Sequence, residues 1–118
     1  MQPQQQPLAR NPYTAAKGKA LISGYLEQEV MQWSPEKIIL KTYDFFLVNA
    51  KKKDIVRMNK ALDALIGALN FEYKDQAVPL FRLYQYCQRC ISTQKYDEAI
   101  HIIQELRTSW ATAFNLSA

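Results

Sequence analysis

Few residues in this chain are of types that do chemistry, and their spacing limits what they could do. Cys87 and Cys90 form a Cys-x-x-Cys step, and His101 is the only histidine. A zinc centre needs four ligands, and this chain offers no second cysteine pair and no second histidine to complete a set. A redox Cys-x-x-Cys sits at the start of a helix beside a strand, whereas this one falls late in a segment of helical periodicity. Both thiols are therefore expected to be structural, buried or half-buried, since cysteine packs as a small hydrophobe. His101 lies between Ile100 and Ile102 without a serine or cysteine placed near it by the sequence, so a surface or boundary position is expected. Three isolated glycines make no phosphate loop. No catalytic residue, metal or cofactor is expected, and the chain is not read as an enzyme.

The element that must organise such a chain runs from Ser34 to Ala50 and closes on Lys51-Lys52-Lys53. Ser34 is suited to cap the first turn, Pro35 to the first helical position, and Glu36 to the positive end of the dipole. The lysine triplet complements the other end; contact with phosphate is the weaker reading. Ile39, Tyr43, Phe46 and Ala50 form one stripe, widened by Ile38, Leu40, Phe45 and Leu47. That is more apolar surface than a helix lying on a protein needs, so the helix is expected to be central to a bundle or to flank a groove that a partner fills.

Around it the periodicity predicts further helices. A first, over about 15 to 31, carries Ile22, Leu26, Val30 and Trp33 near one face, weakened by Gly18 and Gly24. After the central helix, Asp54 caps the next, with Ile55, Met58, Leu62, Leu65, Ile66 and Leu69 in register. The stretch Asn70–Asp75 breaks it and offers another cap. A long helix then aligns Leu80, Tyr84, Cys87 and Ile91, with Pro79 expected in its first turn or at its true start. The last helix has Asp97 and Glu98 early and Ala99, Ile103, Leu106, Trp110 and Phe114 in register. Lys95–Ile100 has the flavour of a tetratricopeptide helix, but one copy makes no solenoid.

The absence of alternating segments sets the class as all-α, and short connections imply an up-and-down antiparallel four-helix bundle with an additional N-terminal helix. At 118 residues, 48% hydrophobic and 22% charged, the chain is one domain of ordinary composition. Residues 1–13, rich in Gln and Pro, are expected to be a flexible tail, and 14–118 the bundle. A net charge of +4 argues for solubility before nucleic acid. No apolar run is long enough to insert in a membrane, and the N-terminus lacks the apolar core of a secretory signal, so a cytoplasmic location is expected. Five tyrosines of the bundle, at 25, 43, 84, 86 and 96, suit core edges or the border of a groove.

At this point the chain resembles the flagellar export chaperone FliS family. Tyr25, Val30, Ser34, Pro35, Glu36, Ile38, Ile39, Leu40, Tyr43 and Asp44 fall at the spacing of that family's opening motifs. Downstream, Leu65 with Leu69-Asn70, Leu83-Tyr84-Gln85-Tyr86 and Leu106-Arg107-Thr108-Ser109-Trp110 are similar to its later steps, so the likeness covers about 22 to 114. Phe45 replaces a glycine, Thr42 a leucine and Ile22 the first tyrosine. Asn11-Pro12-Tyr13 looks like the family's Asn-Pro-Tyr but lies twelve positions before Tyr25 instead of about three.

The resemblance implies a non-enzymatic chaperone that binds the disordered C-terminal segment of flagellin, prevents premature polymerisation and assists type III export, with an export-gate protein as a further partner. In that family the N-terminal segment can cover part of the binding surface. A client that folds on binding would lay amphipathic helices into an apolar groove. The candidate lining is Ile39, Leu40, Tyr43 and Leu47 from the central helix, with Leu83, Tyr84 and Tyr86 from the helix that follows the next turn. Core packing is the competing reading for each. The competing function is a structural or adaptor bundle that self-associates weakly, or takes another partner helix, through the same surface.

Overall fold

The structure, a computed structural model, describes residues 12, 13 and 32–115. Among the described residues there are four helices and no strand: α1 (Pro35–Lys51), α2 (Ile55–Gly67), α3 (Lys74–Ser92) and α4 (Tyr96–Ala113). The helix expected over about 15 to 31 lies outside them.

Local chemistry sets where each helix begins. Ser34 accepts a hydrogen bond from the Lys37 amide at 3.1 Å, with Pro35 and Glu36 in the first turn of α1. Asp54 does the same for α2, accepting from the Arg57 amide at 3.0 Å and from its guanidinium at 2.8 Å. Asn70, in the segment expected to provide a cap, instead accepts from the Glu72 amide at 3.0 Å and so shapes the turn. α3 begins at Lys74 with no side-chain cap, which puts Pro79 in its second turn and corrects the expected position. The helix tolerates the missing donor there because Ala77 and Leu80, on either side, are held in the core.

Short turns return each helix against its predecessor, and α1 also packs on α4, so the four close into a circuit. The excess apolar width of α1 is used in this way. Ile38, Ile39, Leu40, Tyr43, Phe46 and Ala50 are all buried, serving two neighbours instead of one. The two buried polar residues of α1 are satisfied by its own backbone: Thr42 Oγ1 donates to the Ile38 carbonyl and Asn49 Nδ2 to that of Phe45, each at 2.8 Å.

Two helix ends use residues that the geometry does not favour. After α1, the Asp54 amide donates to the Asn49 carbonyl at 2.9 Å and the Lys53 amide to that of Ala50 at 3.0 Å. After α3, Lys95 donates to Cys90 at 2.7 Å and Gln94 to Ile91 at 3.1 Å. This six-to-one and five-to-two pairing needs a left-handed residue between, and Lys53 (φ 56°) and Gln94 (φ 64°) provide it where glycine is usual. Lys53→Gly and Gln94→Gly are each expected to raise stability by about 0.5–1 kcal/mol. Gly67→Ala should gain a similar amount, about 0.5–1 kcal/mol, for the opposite reason. A Cβ at position 67, inside α2, would meet nothing within 4 Å. Urea midpoints of the three variants check this; a fall in any midpoint contradicts the corresponding assignment.

Candidate functional site

Three tyrosines from three parts of the chain meet in the core. Tyr43 comes from α1, Tyr84 from α3, and Tyr13 from the N-terminal segment. The Tyr13 hydroxyl lies 3.1 Å from that of Tyr43, and the Tyr84 hydroxyl is hydrogen-bonded to both. Each phenol has one proton to donate, so a closed ring of three lets every hydroxyl donate once and accept once. Their burial makes that closure matter. Tyr43 and Tyr84 are fully buried and Tyr13 is 7% exposed.

The other elements supply the frame. Pro12 is buried and its carbonyl accepts from the Asn70 amide, while Tyr13 bridges to Leu69 just beyond α2. From α4, the Trp110 indole meets the Tyr13 ring edge-on at 5.9 Å and stacks on Phe114 at 5.2 Å. The indole N–H is buried without a hydrogen bond of full geometry, yet lies close enough to the Tyr43 hydroxyl to favour its ionised form. One residue along α1, Asp44 is gripped by Arg107 of α4 through two bonds, Nε to Oδ1 at 2.6 Å and Nη2 to Oδ2 at 3.2 Å.

Electrostatics keep the ring neutral. Burial is the leading cause for all three phenols and pushes Tyr43 up to about 12, against the smaller pull of its hydrogen bonds to Tyr13, Tyr84 and Trp110. Tyr13 and Tyr84 are raised as well, first by burial and then by the charge that a neighbouring phenolate would carry. Such groups provide neither base nor nucleophile near neutral pH. What the arrangement does is fasten an N-terminal segment to the bundle.

The expected binding residues divide accordingly. Ile39, Leu40, Tyr43 and Tyr84 lie in the core and line no open groove in this state, whereas Leu47, Leu83 and Tyr86 are half-buried. Tyr86 donates to Glu98 across the α3–α4 contact, and Arg89 stands over its ring. Pro12 and Tyr13, expected in a flexible tail, are instead part of the core; a proline and an aromatic ring bring enough apolar surface to be ordered once two phenols wait for a third. Sequence reading gave Tyr13 no place in the core, and the signal that could have placed it was the Asn-Pro-Tyr step itself.

The remaining chemistry-bearing residues are ordinary. Cys87 and Cys90 are both buried and unbridged, and burial, then the charges of Cys90 and Glu98, push the Cys87 thiol up to about 12. His101 is on the surface, 3.3 Å from Glu105. Among the described residues no three metal-ligating side chains gather, and no helix is long and apolar enough to cross a membrane. Comparisons with protein-family models, with curated proteins and with solved structures returned no match.

Two expectations follow from the ring. Tyr43→Phe and Tyr84→Phe should each cost about 1–2 kcal/mol, because one of the two remaining hydroxyls is left with an unused donor. The double variant should cost less than the sum, a departure from additivity that unfolding midpoints would detect. Alkaline pH should act through the same groups. Below their ordinary value of 10.0 the phenols are neutral in both folded and unfolded chains, and their contribution is constant. Above it the unfolded phenols ionise while the folded ones keep their protons, so stability falls as pH rises toward about 12. Cys87 acts in the same direction from its ordinary 9.0 upward. A phenolate absorbance titration should show tyrosines that ionise only as the helical signal is lost; simple titration of all of them in the folded protein would contradict their burial.

Proposed function

We propose that this protein is a cytosolic export chaperone of the FliS type, which holds the disordered C-terminal segment of flagellin and assists its type III export. The observation that carries the reading is the convergence of the residues on which the family resemblance rests. Tyr13 of the Asn-Pro-Tyr step, Tyr43-Asp44, Tyr84 of the Leu-Tyr-x-Tyr step, and Arg107 and Trp110 of the Leu-Arg-x-x-Trp step lie far apart in sequence. In the fold they form one continuous contact. A likeness by accident would have no reason to fold into one place.

On this reading the N-terminal segment occupies part of the client's surface. Pro12 and Tyr13 leave, Tyr43 and Tyr84 are uncovered, and a client helix takes up the vacated apolar contacts, with half-buried Leu47, Leu83 and Tyr86 at the margin. A further helix over about 15 to 31 completes the domain. The apparent affinity is then the intrinsic one reduced by the fraction of molecules with Tyr13 released.

Calorimetric titration of the full chain with the C-terminal segment of flagellin from the same organism tests this. One-to-one binding with a strongly negative heat-capacity change is expected. Tyr13→Ala should lower the unfolding midpoint and yet tighten binding, by up to about tenfold. No binding to any flagellin of that organism, by either protein, overturns the proposal. Concentration-dependent dimerisation in the absence of client affinity would favour the self-associating bundle instead.

A further inference from the structure

At about 100° per residue the surface of α1 divides into two arcs. The inward one carries its buried side chains. The outward one carries Lys37, Lys41, Phe45, Val48 and Lys52, flanked by Asp44 and Lys51, and none of these is buried. Val48 is 50% exposed, a large apolar side chain left facing solvent, and Phe45 beside it is half-buried.

The charges on this arc are unbalanced. Asp44, its one carboxylate, is already committed to Arg107. No ion pair among the described residues involves Lys37, Lys41, Lys51 or Lys52. Of the 15 basic residues in the chain these are four, and the remaining 11 equal the 11 acidic residues in number, so the net +4 of the whole molecule is accounted for on one helix face. The upper end of the arc is also ordered. Lys37 Nζ and Lys41 Nζ stand 5.1 and 5.7 Å from the centre of the Trp33 ring, which gathers both ammonium groups at one point.

We infer that the outward arc of α1 is a docking surface for an acidic amphipathic helix of a partner protein. Positive charge lies at both ends and an apolar pair lies midway, along a line of about 22 Å from Lys37 to Lys52. The complement of that pattern is a helix of about four turns with carboxylates near its ends and aliphatic side chains between. A nucleic-acid backbone has no use for the Phe45–Val48 centre and would meet the Asp44 carboxylate there. A bilayer is entered by large exposed aromatic or leucine side chains, which the arc does not offer. The surface stands apart from the client reading, since Tyr43 leaves α1 on the opposite, inward side.

The test uses the full chain and a fluorescently labelled synthetic helix of about 18 residues, with glutamates at helical spacing near both ends and leucines between, read by anisotropy. A permuted peptide of the same composition, phosphatidylserine vesicles and duplex DNA serve as alternatives. Saturable binding of the amphipathic peptide is expected, weakened at least about tenfold by Lys41→Glu with Lys52→Glu and, separately, by Val48→Ser. All three positions lie outside the core, and thermal midpoints near the parent's confirm that the variants are folded. No binding of the amphipathic peptide, equal binding of the permuted one, or tighter binding to vesicles or DNA would overturn the inference.

Discussion

Burying three phenols in a small bundle is costly unless every hydroxyl finds a partner, and much of the fold answers that constraint. Tyr43 and Tyr84 alone would leave one donor unsatisfied between α1 and α3. The third hydroxyl, from Tyr13, closes the ring and draws Pro12 into the core, where its carbonyl meets Asn70 at the end of α2. With Trp110 of α4 against Tyr13, every helix contributes to one junction. Apolar packing provides the bulk of the stability, but it is non-directional. The ring and the nearby Asp44–Arg107 fork provide what packing lacks, a preference for one rotation of α1 against its neighbours.

Much of this was legible in the sequence, for identifiable reasons. The four described helices follow from apolar periodicity and from Ser34, Pro35 and Asp54, whose capping chemistry is local and so visible in one dimension. Pro79 misled because a proline forbids only its own donor, and a second turn anchored by Ala77 and Leu80 absorbs that loss. The candidate site was half legible. Tyrosine types and spacing were evident, but whether a tyrosine borders a groove or enters a ring depends on which distant hydroxyls reach it. Tyr13 was the extreme case, since its partners lie 30 and 71 residues away.

The same reasoning separates the two faces of α1. Its inward arc was expected to be either core or groove, and in this state it is core, because α2 and α4 both draw on it and Tyr13 takes up what they leave. Its outward arc attracted no notice, since lysines scattered along a sequence look like a solvated face until the helix sets them in line. One helix thus carries an occupied apolar side and an unpaired basic side, which gives a bundle this small two independent surfaces.

The 71 residues between Tyr13 and Tyr84 also bear on the order of assembly. Each helix of the circuit packs on its sequence neighbour across a short turn, contacts that close quickly and at little entropic cost. The hydroxyl ring can form only when α1 and α3 are already side by side and the segment from the far end of the chain arrives between them. It is the last structure gained in folding and the first lost. Tyr13 therefore governs how long the native state persists, and hardly at all how fast it is reached.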